Sequence, residues 1–280
     1  MRSAILDGWV RAFLTAHPTG TVVEVGTGLN TRFDRLDNGA VRWFDLDLPD
    51  TIALRRRFFA DRQGRTMLVG SVLDTDWFDT VAAAPGPYLF VCEAVFVYLT
   101  GEQVHTVLSQ LAHRFAGSLI AFDTAGAVML RNPHRNGSMH AVAARMQWVC
   151  DDPRELARWG PELLDTRTFA TPQPDVASTW PARYRYGMPL LARLLPFIVN
   201  NYKLNCSGSP EFLNEAAMLN IRRALRRLGD AQIGCRPIDA PPSTNIVCPV
   251  MNDASSDSKK AIAAAMSWGR PRRPMGTMAR

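Results

Sequence analysis

Glu24, Gly26 and Gly28 alternate at the end of a short apolar run, within the stretch TVVEVGTGLNTRF that covers Thr21–Phe33. Thr21 to Val25 is β-branched apart from the acid, and the glycine pair follows at once. A buried strand running straight into a Gly-x-Gly turn opens the ligand site of a nucleotide-binding α/β domain. Glycine lets the backbone turn sharply and approach a ligand with no Cβ in the way. Two cofactors compete for such a turn. A dinucleotide needs a third glycine three residues on, where its pyrophosphate meets a helix N-terminus. Thr31 stands there instead. An acid two residues ahead of the first glycine suits S-adenosylmethionine, whose charged amino acid end has no phosphate to cradle. The stretch favours S-adenosylmethionine over NAD, with a degenerate, non-binding copy of the turn as a third reading.

Two further acids end apolar runs. VRWFDL (Val41–Leu46) reads as the second strand and closes on Asp45-Leu46-Asp47. An acid about twenty residues past the glycine turn takes ribose hydroxyls in nucleotide-binding sheets, through charge-assisted bonds. Asp47 is the first choice and Asp45 the second; the alternative is a helix cap or a solvated acid. YLFVCE (Tyr88–Glu93) reads as the fourth strand and ends on Glu93. The carboxyl end of a central strand faces the ligand crevice of an open parallel sheet. The competing reading of Glu93 is a structural acid bonded to neighbouring backbone amides.

These residues need a scaffold. Ala4–Ala16 has helical spacing and stops at His17-Pro18. Thr66–Gly70 is strand three and Ser118–Thr124 strand five. Helical segments stand between, at Pro49–Phe59, from Asp76, and at Thr100–Phe115 with Thr100 as N-cap. Five strands alternating with helices imply a doubly wound parallel sheet. Right-handed crossovers place the ends of strands one, two and four together. After Thr124 the pattern changes: a loop over Ala125–Gly137, a helix over Ser138–Trp148, a helix capped by Asp152 and stopped by Gly160, and strands at Leu164–Phe169 and Val199–Leu204. His134, His140, Arg145, Trp148, Tyr184 and Tyr186 lie where an acceptor pocket could be built, although surface histidines and packing aromatics are the blander reading of each.

Composition sets bounds. The 280 residues are 47% hydrophobic and 21% charged, ordinary for a globular protein. No run approaches the ~18 apolar residues of a membrane span, and charges interrupt the apolar start, which does not fit a signal peptide. The five cysteines are scattered without paired spacing, so reduced cytoplasmic thiols are expected rather than a disulfide framework or a metal site. The residues from Cys206 onward hold 11 Lys and Arg against 6 Asp and Glu, a surplus of +5 out of a total of +6. The basic balance is thus a property of the tail, and gives no reason to expect nucleic acid as a partner.

Taken in order, VVEVGTGLNTRFDRLDNG, VRWFDLDLPDTIALRRRFF, DTDWFD, YLFVCEAVFVYLT and CDDPRELARWG resemble the leucine carboxyl methyltransferase / tetracenomycin-type O-methyltransferase superfamily. The similarity runs over roughly Arg2 to Asn205. It implies a class I, Rossmann-like fold: a doubly wound, mostly parallel seven-stranded sheet whose last hairpin is antiparallel. It implies S-adenosylmethionine as cofactor, with Gly26 and Gly28 beside its methionine part, Asp47 on the ribose, Ser71 near adenine and Glu93 near the amino acid group; Glu24 and Arg32, the latter matching the family's Thr-Arg-Phe, complete the cofactor-binding candidates. The wording is closer to the branch that methylates carboxyl or hydroxyl oxygens of small polyketide-type molecules than to the protein-methylating branch. A small-molecule acceptor is the partner implied, with neither nucleic acid nor membrane. His134 and His140 are the candidates for a base; no metal is implied.

Three departures stand against the family pattern. Ser71 replaces an aspartate, with Asp74 as its substitute. Only twenty residues precede Thr21, a short lid that makes a catalytically impaired binding protein the main alternative; a nicotinamide oxidoreductase is the more distant one. Last, 75 residues follow Asn205. The expected division is a methyltransferase domain over 1–205 and a basic extension over 206–280, helical over about 210–228 and disordered beyond.

Overall fold

The computed structural model describes residues 2–131, 146–172, 174–178 and 180–208, all within one compact unit. The helix expected at 210–228 and the tail beyond it lie outside the described residues, as do His134, His140 and Arg145.

A seven-stranded sheet carries the fold. Its strands are β1 (Thr21–Val25), β2 (Arg42–Asp47), β3 (Arg65–Val69), β4 (Tyr88–Cys92), β5 (Leu119–Ala125), β6 (Glu162–Arg167) and β7 (Tyr202–Gly208), in the order β3-β2-β1-β4-β5-β7-β6. The first five are parallel. β7 enters antiparallel between β5 and β6. This is the seven-stranded, mostly parallel sheet of the class I methyltransferase fold, as the resemblance implies. The sheet takes in residues up to Gly208, past the Asn205 boundary drawn from the sequence.

Alternation along the strands builds two cores. Val22 and Trp43 point to one face, where Ile5, Trp9 and Phe13 of helix α1 (Arg2–Ala16) cover them. Val23 and Phe44 point to the other, toward Phe78, Val81, Leu108 and Phe115. A slip of one residue would exchange the two sets, so burial on both faces pins the register. Register in turn levels the strand ends: Val25 pairs with Leu46 on one side and Cys92 on the other.

The helix over Gly101–Arg114 buries Val104, Val107, Leu108 and Leu111, one stripe at helical spacing. Thr100 caps it, as expected, and Gln103 completes a capping box: Gln103 N donates to Thr100 Oγ1 (3.2 Å) and Thr100 N to Gln103 Oε1 (2.9 Å). Thr100→Ala is expected to cost about 1 kcal/mol in urea unfolding; an unchanged midpoint would mean the packed stripe alone sets the helix start.

Two local expectations fail, and one helix goes unread. Ala127–Arg131, expected as loop, is a short helix. Its N-terminal amides are capped from far along the chain: Ala127 N donates to Asp151 Oδ1 (3.1 Å) and Met129 N to Asn201 Oδ1 (2.8 Å). Local sequence carries no trace of such caps. Residues 146–148, expected at the end of a helix, are irregular; Gln147 N bonds to Val97 O (2.8 Å) and Trp148 is buried against Phe96. Arg32–Leu36, read only as part of a motif, is a helix, α2. Among the described residues no helix is long and apolar enough to cross a membrane.

Candidate cofactor site

β1 ends in a turn that favours glycine at two positions. Gly26 has φ +65° and Gly28 φ +53°, in the left-handed region. A Cβ on Gly26 would also lie 2.5 Å from Val95 Cγ2, in the turn after β4. Around Gly28 a Cβ would meet nothing within 4 Å, so the backbone there faces open space.

The turn is held from beneath by the buried Asp45–Arg55 pair (2.8 Å). Arg55 Nη1 donates to the carbonyls of Gly28 (3.0 Å) and Asn30 (2.8 Å), and Thr27 Oγ1 donates to Asp45 Oδ1 (3.1 Å). Asp45 is therefore a structural residue, 1% exposed. Asp47 differs. It is half-buried at the end of β2, where Oδ2 accepts Gly28 N–H and Oδ1 accepts Leu48 N–H, both at 2.7 Å. Next to it the rim is apolar: Leu48, Val69 and Leu73 are 54%, 49% and 37% exposed. Val69 is the register partner of Asp47 on β3. Ser71 lies on this rim in a tight turn, its Oγ accepting Leu73 N–H (3.1 Å) and its amide donating to Asp74 (3.3 Å).

On the other side of β1, Glu93 follows β4. One guanidinium organises this end. Arg32, fully buried on α2, donates through Nε to Asp7 (2.7 Å), through Nη1 to Glu24 and through Nη2 to Glu93 (2.5 Å). Asn30 Nδ2 adds a bond to Glu24 Oε1 (2.7 Å). Glu24 Oε2 is buried with no hydrogen-bond partner. Burial pushes the Glu24 carboxyl up to about 7 despite Arg32. Burial would raise Glu93 as well, but Arg32 and Arg2 reverse it and hold that carboxyl near 2. α1 closes over this acid: Arg2 Nε (2.8 Å) and Ser3 Oγ (2.9 Å) both donate to Glu93 Oε1.

The sequence candidates therefore separate. Gly26, Gly28, Asp47, Ser71 and Glu93 lie along the levelled strand ends. Glu24 and Arg32 lie in the buried layer of the same site. Trp148 belongs to the core, and Tyr186 is 70% exposed on a helix (Ala182–Leu194) with no buried residue. Arg2, Ser3, Asp7, Asn30 and Arg55 were missed. Asp7 left one signal, a charge in the middle of the apolar run AILDGWV; Arg2 left none.

The sequence of this site matches a family. Residues 1–112 match the leucine carboxyl methyltransferase family model. Glu24, Gly26, Gly28, Arg32, Asp47, Ser71 and Glu93 all fall within the matched stretch. The chain is also 32% identical over 163 residues to the tetracenomycin polyketide synthesis O-methyltransferase TcmP of Streptomyces glaucescens, an alignment covering 58% of this chain and 60% of TcmP. The chain thus spans about 60% of the length of the curated relative it matches. Among solved structures, TnmH superposes with a TM-score of 0.46 at 16% identity, over 74% of this chain and 55% of TnmH. The magnesium protoporphyrin IX methyltransferase ChlM of Synechocystis PCC 6803, with bound SAH, gives 0.45 at 15% identity, over 74% of this chain and 84% of ChlM. The resemblance drawn from the sequence implies S-adenosylmethionine as the cofactor. The crevice fits it on three observations: open space at the Gly28 backbone, a half-buried carboxylate beside an apolar rim, and an ionised acid at the opposite end.

Proposed function

We propose that this chain is an S-adenosylmethionine-dependent O-methyltransferase acting on a small molecule, with a polyketide-type acceptor suggested by its relative TcmP. The observation that carries the reading is the alignment of Gly28, Asp47 and Glu93 along three adjacent strand ends, within methyltransferase-family sequence. S-adenosylmethionine, when bound, supplies a methyl group activated on a sulfonium. The protein supplies position and electrostatics.

Each residue has a task set by its surroundings. Asp47 would take the ribose hydroxyls, because each of its oxygens accepts one backbone amide and keeps capacity for a second donor. Gly26 and Gly28 would admit the cofactor against bare backbone. Leu48, Val69 and Leu73 would cover the adenine, with Ser71 beside them. Glu93, ionised at any working pH, would receive the ammonium of the amino acid end. Glu24 and Arg32 act from below, the first fixing Asn30 and the second orienting Glu93. A carboxylate acceptor is ionised without a base, whereas a phenol of pKa about 10 benefits from one.

Calorimetric titration of the purified chain tests the reading. S-adenosylmethionine and S-adenosylhomocysteine are expected to bind with Kd on the order of micromolar, and NAD not at all. Binding of NAD alone, or of none of the three, overturns it.

A further inference from the structure

Asp123 lies inside β5, level with Glu93 by the register that pairs Cys92 with Phe122, and the proposed function gives that residue no part. Asp123 is 0% exposed. Both its oxygens accept the amide of Ala94, each at 3.0 Å. Ala94 follows Glu93 directly and has φ +57°, the one non-glycine in the left-handed region among the described residues. An alanine held there costs on the order of 1 kcal/mol or more unless its surroundings fix it. Asp123 is the group that fixes it. Tyr202, at the start of β7, donates its hydroxyl to Asp123 Oδ2. The same hydroxyl accepts from Arg2 Nη1 (3.2 Å), while Arg2 Nε holds Glu93 Oε1 (2.8 Å). A closed path therefore joins Glu93 to itself: through the backbone to Ala94, across to Asp123, on to Tyr202, and back through Arg2.

We propose that Asp123 and Tyr202 are positioning residues for cofactor binding, which set Glu93 by clamping the left-handed turn behind it and by anchoring the arginine in front of it. This rests on the reading of Glu93 as the contact for the cofactor's amino acid end. Neither residue need touch the ligand. Their contribution must pass through Glu93, and that separates positioning from a general structural role.

The experiment is a set of double-mutant cycles on the full chain, read by calorimetric titration with S-adenosylhomocysteine, with thermal midpoints measured alongside. D123N is expected to weaken binding about tenfold and Y202F about threefold. In an E93Q background each is expected to weaken it less than about twofold, since the group they position is gone. Full-sized losses of affinity that persist in E93Q, or no loss in either single variant, overturn the proposal and leave the cofactor reading standing. No binding by the unaltered chain, or unaltered binding in E93Q, overturns the reading of Glu93 and this proposal with it. Should D123N fail to fold, the Y202F cycle, which removes one oxygen only, decides by the same criteria.

Discussion

Arg32→Met is expected to destabilise the protein by about 3–5 kcal/mol, because it strips the shared cation from three carboxylates and leaves them buried. Asp7, Glu24 and Glu93 have side-chain exposures of only 8%, 2% and 12%. Arg35 still reaches Asp7 and Arg2 still reaches Glu93. Glu24 would retain only the amide of Asn30. The loss should also depend on pH with a definite sign. A carboxyl whose folded value lies above its ordinary one stabilises the fold fully below the ordinary value and ceases to do so as pH rises through the folded value. In the unaltered protein, Glu24 behaves in this way between 4.5 and about 7. Glu93 does the opposite: its contribution is present above 4.5 and is lost as pH falls toward 2. Removing Arg32 raises both carboxyls, so the deficit should be smaller at pH 5, where Glu24 is protonated with or without Arg32 and the Glu93 part remains, and larger at pH 8, where both parts are lost. Urea unfolding of both proteins at those two pH values measures this. Equal differences at both would show that Arg32 matters for its packing and not its charge.

Asp47→Ala is expected to weaken S-adenosylhomocysteine binding about a hundredfold, from the loss of two hydrogen bonds to a charged acceptor at about 1.5 kcal/mol each. The same change frees the amides of Gly28 and Leu48. Asp47→Asn separates the two contributions. Its side-chain oxygen can still hold one of those amides, whereas its nitrogen offers no acceptor to a ribose hydroxyl. Binding that survives Asp47→Ala within about threefold would move the ribose contact elsewhere on the rim.

Much of this architecture was legible because burial writes a periodic signal. β1 matches its sequence reading residue for residue, and β4 differs only by its last residue. Completely buried parallel strands leave apolar runs that end where the chain meets solvent or ligand, which is why Asp47 and Glu93 could be picked out. Alternation along β2 could not choose between Asp45 and Asp47, which lie two apart and share a face; their exposures differ because Asp47 stands at the strand end. What the sequence hid was partnership at long range. Arg2 and Glu93 are 91 residues apart, and Tyr202 and Asp123 are 79 apart. Nothing in local spacing encodes such pairs. The helix at Ala127–Arg131 was missed for the same reason, since Asp151 and Asn201 supply its caps. Ala94 shows a further limit. A left-handed residue is normally announced by glycine or asparagine, and here the clamp from Asp123 takes the place of that signature.

The antiparallel entry of β7 between β5 and β6 has a consequence for how the protein is made. Translation delivers β5 about eighty residues before the strand that will cover its open side, and domains assemble from the N-terminus as they emerge. Through that interval β5 is an unpaired edge, and Asp123 waits without its tyrosine. The strands that carry Gly28, Asp47 and Glu93 can therefore pair well before the cofactor end of the sheet is locked. The nascent chain therefore closes the Glu93 end of its sheet in the same event that covers the β5 edge.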